Sequence, residues 1–192
     1  MGLLKKLAEG KIRAIGLSEA AAATIRIVAE VHPISAVQSE YSAFSSDIED
    51  SVIPACFEFG ATPVAYSPLG HGMLSGRFKR DVRPAEGDFR TSTPRFQGDA
   101  FEANVSIVSE ILTLASAKSC KPAQVALAWL LRLSRGDHIM AIPGTSKLDN
   151  LKVNLGAYDT TLSDDELKRL NCLANQVKVD CCDECGRMII NG

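Results

Sequence analysis

HIMAIPGTSKLDNLKVN, His138 to Asn154, is the stretch on which the fold turns. A short apolar run, Ile139 to Ile142, ends in Pro143-Gly144-Thr145-Ser146-Lys147, and a helical pattern then begins. The segment reads as strand, tight turn and helix start. A helix start presents backbone N–H groups without intrahelical partners and the positive end of the helix dipole, so it attracts phosphate. Gly144 lets a ligand approach the backbone. Thr145 and Ser146 can cap the helix or donate to a phosphate oxygen, and Lys147 adds a point charge. The same residues also suit an ordinary strand-to-helix loop with a polar cap. The segments upstream bear on which of the two applies.

Three further runs resemble the first: Ile12 to Leu17, Ile34 to Gln38 and Thr62 to Tyr66. Each is rich in β-branched or small apolar residues, as expected of strands buried on both faces of a parallel sheet. Each leads into a polar turn and a helical pattern. Ser18 stands where a cap for the helical run Ala20 to Val31 would, with Glu19 in its first turn. A helix is expected over Ile48 to Phe59, stopped by Gly60. A long Gly/Pro-rich loop, Pro68 to Gly98, carries Arg77, Lys79, Arg80, Arg83, Arg90 and Arg95. Helices are expected over Phe101 to Lys118 and over Pro122 to Leu133, the second with Pro in its first turn. Leu148 to Leu155 is a short helix. Ser163-Asp164-Asp165-Glu166 forms a capping box for a last helix running to about Val177.

The order is thus β-α-β-α-β-loop-α-α-β-α-α, which implies parallel strands joined by right-handed crossovers. The long loop follows the third strand and the anion-attracting turn follows the fourth. In a TIM barrel the loops after the seventh and eighth strands commonly bind phosphate. Both features fall into place if these are the fifth to eighth strands of such a barrel. The pattern supplies four β/α units, half of a barrel.

The chain has 192 residues, 46% hydrophobic and 23% charged, which suits one globular domain with a core. Its net charge of −2 gives no electrostatic reason to expect nucleic acid or an acidic membrane as partner. No apolar run approaches the ~20 residues of a membrane span. The opening MGLLKKLAEGK is unlike a secretory signal. Cys56, Cys120 and Cys172 lie in apolar helical patterns, as buried free thiols of a reducing compartment do. Cys181, Cys182 and Cys185 crowd the tail. Their single C-x-x-C pair falls short of a four-ligand zinc site, so no metal is expected. A cytoplasmic location follows from these readings.

With these residues laid out, the sequence resembles the C-terminal half of an aldo-keto reductase. The matching segments are GKIRAIGLSE (Gly10 to Glu19), AVQSEYS (Ala36 to Ser42), VAYSPLGHGMLSG (Val64 to Gly76), KPAQVALAWLL (Lys121 to Leu131) and IPGTSKLDNLKVN (Ile142 to Asn154). They occur in the family's order and spacing. The branch with GLSE and IPGT motifs, near the soluble reductases and potassium-channel beta subunits, is the most similar. The resemblance implies a partial aldo-keto reductase domain over residues 1–177, followed by a poorly ordered Cys-rich tail, 178–192.

It also implies a TIM barrel that reduces small aldehydes and ketones with NADPH and without a metal. By that likeness Ser18 and Gln38 hold the nicotinamide carboxamide, for which a hydroxyl and an amide supply donors and an acceptor. Tyr66 stacks on the nicotinamide ring. Ser67, Pro68, Leu69 and Gly70 pass beside the pyrophosphate. Gly144, Thr145 and Lys147 cradle the adenosine 2′-phosphate, and Asn154 reads the adenine edge. Many relatives have Arg at Asn150, an acid at Val153 and Asn at Glu19, so Lys147 is left as the main cation of the cradle. His32 and His138 precede their strands, away from the active face. His71, on the cofactor loop, is within reach of phosphate.

In that family the proton donor Tyr, its Lys and Asp partners and the carbonyl-orienting His come from the first half of the barrel. No residue here matches them. Tyr41 and Tyr158 do not replace the donor, and no catalytic residue is assigned. Three expectations follow. The chain is a fragment that holds cofactor but is inactive alone, or a non-catalytic nucleotide-binding or regulatory module, or a homodimer whose copies complete one another. Open sheet edges and an uncovered apolar interior are expected in every case until a complementing chain covers them.

Overall fold

The computed structural model describes residues 6, 9–132 and 139–176. Strands β1 (Gly16–Ser18), β2 (Ala36–Glu40), β3 (Thr62–Tyr66) and β4 (Met140–Ala141) pair in sequential order in one parallel sheet. Helix α1 (Ala22–Val31) joins β1 to β2, and α2 (Val52–Glu58) joins β2 to β3. Helices α3 (Gly98–Ala117) and α4 (Pro122–Leu131) separate β3 from β4, and α5 (Leu148–Leu155) and α6 (Asp164–Gln176) follow. This is the βα alternation the apolar runs predict.

Several boundaries differ for identifiable reasons. The apolar run at Ile34 is buried, but regular pairing is assigned only from Ala36; Ser35 N–H already donates to the Ile15 carbonyl at 2.9 Å. The helix expected from Ile48 is broken into a 3₁₀ turn, Asp47–Asp50, and α2. Pro54 lies in the first turn of α2, and its ring bars the continuous helical ladder that Asp50 would need. Ser18 is not a helix cap. It is the last residue of β1, and α1 starts beyond Ala21 with no side-chain cap. The Ser163 and Glu166 side chains do form the capping box of α6: Ser163 N–H donates to Glu166 Oε2 at 2.7 Å and Glu166 N–H to Ser163 Oγ at 3.4 Å. The Pro68 to Gly98 loop contains three 3₁₀ turns, Gly70–Ser75, Phe89–Ser92 and Pro94–Phe96.

The sheet leaves one face uncovered, as four strands of an eight-stranded barrel would, and so departs from the burial on both faces that the composition of its strands suggests. Its strands are buried on one face only. Val37, Ser39, Pro63 and Ala65 point at the helices and are buried. Their neighbours Ser18, Gln38 and Met140 stand on the other face and are exposed, Met140 at 56%. Right-handed crossovers place the helices on one side of the strands. In a closed barrel the other side is covered by the facing strands.

Two cores hold the helical side. Phe44, Met73, Leu74, Phe101, Ile107, Trp129 and Leu130 belong to the larger, built on α3, α4 and the loop after β3. On α3 the buried positions Phe101, Val105, Val108, Ile111 and Ala115 follow the three- and four-residue spacing of one helical face. Ile15, Ile25, Val28, Val37, Ala55 and Cys56 form the smaller core, between α1, α2 and the first two strands. Full burial of each large aliphatic side chain contributes about 1.5–3 kcal/mol. His138, the tail 178–192 and its three cysteines lie outside the described residues. Among the described residues no helix is long and apolar enough to cross a membrane.

Candidate functional site

The open face of the sheet carries its polar residues in register. Ser18 stands opposite Gln38, Gln38 opposite Val64, and Val64 opposite Met140. One layer further toward the C-terminal ends, Glu40 stands opposite Tyr66. Ser18 and Gln38 are therefore neighbours on exposed surface, a hydroxyl beside an amide. Glu19 is committed elsewhere. It adopts φ 52°, its N–H donates to the Gln38 carbonyl at 2.8 Å, and its carboxylate accepts from Glu40 N–H at 2.8 Å. That clasp ties the end of β1 to β2.

Beyond Tyr66 the chain curls tightly. Ser67 and His71 have positive φ, 48° and 54°, and Gly70 N–H donates to the Ser67 carbonyl at 2.9 Å. A Cβ at Gly70, which also has φ 54°, would meet the Phe44 ring at 2.6 Å, so this position requires glycine. The curl forms one wall of a cleft of about 690 Å³. Ser67, Pro68, Leu69 and His71 line that wall, and Gly144, Thr145, Asn150 and Asn154 line the opposite one. Gly70 itself is buried beneath the wall.

Three cations face into this cleft: Arg77, Arg90 and Lys121. Arg90 is fixed by Asp88, which accepts from its Nε at 2.9 Å and its backbone N–H at 3.0 Å. These bonds, the backbone one first, hold the Asp88 carboxyl below its ordinary range. The Arg90 guanidinium also lies over the Phe78 ring, 5.2 Å from its centre. Burial pushes the His71 imidazole pKa down, nearby Arg95 and Arg90 push it further, and Glu40 opposes them. Asp149 is the acidic residue of the lining.

The turn after β4 borders two cavities. Gly144 is in open space, with no atom within 4 Å of where a Cβ would lie. The Thr145 hydroxyl accepts from Lys147 N–H at 3.1 Å, a local turn ahead of α5, whose start carries no side-chain cap. Lys147 lines, with Gly144, Thr145, Ser146 and Asn154, an adjoining groove of about 770 Å³ whose apolar wall is Leu148, Leu151, Leu155 and Tyr158. Asn154, buried to 9% exposure, borders both.

The structure thus gathers Ser67, Pro68, Leu69, Gly144, Thr145 and Asn154 around one cleft. Ser18, Gln38 and Tyr66 form a second group on the open sheet face, and Lys147 joins Gly144, Thr145 and Asn154 around the adjoining groove. Sequence reasoning did not assign Arg77, Arg90 or Lys121 to the site. The available signal was the concentration of cations in the loop after β3. The fold sorts them: Arg80 and Arg83 pair with Glu102 of α3, Arg95 pairs with Glu40, and Arg77 and Arg90 reach the cleft.

Neither Tyr41 nor Tyr158 is placed as an acid. Tyr41 is buried on the helical side, where its hydroxyl donates to Glu49 at 2.7 Å and burial raises its pKa far out of reach. Tyr158 is 75% exposed in the adjoining groove. Among the described residues no three His, Cys, Asp or Glu side chains gather to hold a metal.

The profile of the aldo/keto reductase family matches residues 1–175. The chain is 46% identical over 183 residues to the aldo-keto reductase yakc of Schizosaccharomyces pombe, whose name carries NADP(+); the match covers 93% of this chain and 53% of that protein. Among solved structures, a glycerol dehydrogenase from Gluconobacter oxydans superposes with a TM-score of 0.80 at 27% identity, over 91% of this chain and 53% of the other. The aldose reductase of Schistosoma japonicum superposes at 0.61 and 24% identity, over 88% and 44%, a likeness of fold. The chain spans about half the length of these relatives, and its four-stranded sheet is part of a TIM barrel. On the family match and these likenesses together, the chain belongs to the aldo/keto reductase family.

Proposed function

We propose that the chain is the cofactor-holding half of an oxidoreductase that reduces small aldehydes and ketones to alcohols, and that it binds NADP(H). One observation carries this reading. A single cleft joins the Ser67–Leu69 curl to the Gly144–Thr145 turn and is lined by three cations; the curl follows directly on half-buried Tyr66, on the sheet face that exposes Ser18 and Gln38. A diphosphate needs cations and N–H donors, and a carboxamide needs paired donor and acceptor groups. The residues present fit both ends of a dinucleotide. The name of the fission-yeast relative supports the phosphorylated form of the cofactor.

In this reading Arg77, Arg90 and Lys121 neutralise phosphate charge. Gln38 and Ser18 orient the carboxamide, and Tyr66 supplies the face against which the nicotinamide lies. Bound NADPH supplies the hydride. A carbonyl that accepts hydride becomes an alkoxide and needs a proton donor. None of the described tyrosines is set to be that donor, so the chain alone is expected to bind and not to turn over. Quenching of Trp129 and Tyr fluorescence by micromolar NADPH tests the binding, and no response at millimolar cofactor would overturn it. Reduction of 4-nitrobenzaldehyde by the purified chain, abolished in Tyr66→Ala, would overturn the inactivity. The thiols Cys56, buried, and Cys120, half-buried, form no disulfide and suit a reducing, cytoplasmic setting, whereas Cys172 is exposed rather than buried as its helical pattern suggests.

The groove beside β4 favours a second element of the reading, a complementing partner. Leu148 is 66% exposed and Leu155 59%, along a strand edge with no partner strand among the described residues. A second copy or a chain with the missing β/α units would cover it. Sedimentation equilibrium showing a monodisperse monomer with and without cofactor would exclude the second copy.

A further inference from the structure

Arg95 is buried far more deeply than the cleft-lining cations of its loop need to be. Its side chain is 4% exposed, against 15% for cleft-lining Arg90 and 48% for Arg83, which pairs with Glu102 away from the cleft. Its Nη2 donates to Glu40 Oε1 at 2.6 Å, across 55 residues of sequence. Its Nε and Nη1 are buried without a hydrogen-bond partner. One carboxylate therefore compensates the charge of a guanidinium removed from water, and the loop end can sit only where that carboxylate is. Glu40 is itself held: it ends β2, and its N–H donates to Glu19 Oε1 at 2.8 Å.

From Arg95 a continuous set of bonds leads back to Arg90. Phe96 N–H donates to the Thr93 carbonyl at 2.9 Å and Thr93 N–H to the Arg90 carbonyl at 3.1 Å. Gln97 Nε2 donates to the Thr91 carbonyl at 2.6 Å, and buried Asn104 of α3 donates to the Arg95 carbonyl at 2.9 Å. Residues 90–97 are thus one hydrogen-bonded unit. Arg90 at one end lines the cleft, and Arg95 at the other is pinned to the sheet.

We propose that the Glu40–Arg95 pair is a latch that seats the loop after β3 against the end of the sheet and so places Arg90 over a phosphate bound in the cleft. Neither latch residue lines the cleft; both are positioning residues. The proposal rests on the reading that the cleft takes the phosphates of a nucleotide cofactor.

Two measurements on the full 192-residue chain test it. The first needs no ligand. Trypsin cleavage after Arg90 is followed by mass spectrometry in wild type and Glu40→Gln, with cleavage after exposed Arg80 as reference. The latch requires cleavage after Arg90 to rise by roughly tenfold while the reference holds, the signature of local opening. Unchanged cleavage overturns it. The variant Glu40→Gln/Arg95→Met removes both charges and guards against misfolding from an unpaired guanidinium. It should keep its circular dichroism and its susceptibility after Arg90; protection equal to wild type overturns the latch.

The second measurement is NADPH affinity. Glu40→Gln should weaken it by roughly tenfold, the size of one lost charge-assisted hydrogen bond. Arg90→Ala should do the same, and Glu40→Gln/Arg90→Ala should be no weaker than Arg90→Ala alone, because the latch acts through Arg90. Additive losses, or an unchanged affinity in Glu40→Gln, overturn the proposal. Absence of NADPH binding in wild type would overturn the cofactor reading instead, and the cleavage experiment would still decide the latch.

Discussion

The guanidinium of Arg132 lies 3.8 Å from the centre of the Trp129 ring. It also bonds both carboxylate oxygens of Glu49, at 2.9 and 3.1 Å, and so joins the end of α4 to the turn after β2. The Arg132 side chain is 11% exposed and that of Glu49 27%, so the pair is only partly screened by water. Arg132→Ala removes the ring contact and leaves Glu49 and the Tyr41 hydroxyl short of a partner. We expect a loss of about 2 kcal/mol, below the cost of breaking a fully buried pair. Urea unfolding followed by Trp129 fluorescence measures it, and a change under 0.5 kcal/mol, about the scatter of neutral surface substitutions, would remove the network from the account.

Gly70→Ala is the sharpest test of the curl after β3. The new methyl would have to adopt φ 54° and displace the Phe44 ring, which is 3% exposed within the larger core. We expect destabilisation of about 2–3 kcal/mol, from left-handed backbone strain plus overpacking. Thermal unfolding compared with Gly144→Ala, where the space is open, separates the two positions. Equal melting temperatures would show that the curl yields to the methyl.

The contrast between those glycines shows what the sequence could and could not disclose. Thr62 to Tyr66 was readable as a strand because β-branched and small apolar residues between turn signals answer to local geometry. Ser163 and Glu166 were readable as a capping box because both ends of the bond lie within one turn. The break in the helix after β2 follows from Pro54 and was also local. The one-sided burial of the sheet was not local. Met140 has the composition of a buried strand residue, and its exposure depends on which elements stand opposite. The same holds for the cations. Arg80 and Arg83 differ from Arg77 only because Glu102, on a helix that begins at Gly98, captures them. Lys147 lines the groove beside the cleft, together with Gly144, Thr145 and Asn154, and the division of that turn between two cavities is set by the elements around it.

The capping box carries a pH dependence of fixed sign. Ser163 N–H donates to the Glu166 carboxylate and holds its pKa below the ordinary value, with Lys118 at 2.9 Å adding to the effect. A carboxyl with a depressed folded pKa stabilises the fold above its unfolded pKa. The contribution is lost as pH falls from about 4.3 through the folded value. Glu166→Gln keeps an acceptor for Ser163 but no charge. It should cost about 0.5 kcal/mol at pH 7 and nothing at the acid end of the series. Parallel stability curves for the two proteins between pH 6 and 3 would show that the Glu166 charge does not contribute.

The cations of the cleft and of the adjoining groove make opposite predictions for the same ligand. Arg77 faces the cleft between the Ser67–Leu69 curl and the Gly144 turn, whereas Lys147 lines the apolar groove. If phosphate is held in the cleft, Arg77→Ala should weaken NADPH binding by roughly tenfold, the loss of one charge-assisted contact. It should also flatten the fall in affinity with rising salt, because fewer ions are exchanged on binding. Lys147→Ala should change affinity by less than about twofold, as expected of a charge beyond the contact shell and screened by salt. Titrating both variants with NADPH and NADH at two ionic strengths separates the possibilities. A large loss in Lys147→Ala confined to NADPH would move the 2′-phosphate to the α5 entry, and would require that turn to rearrange when cofactor binds.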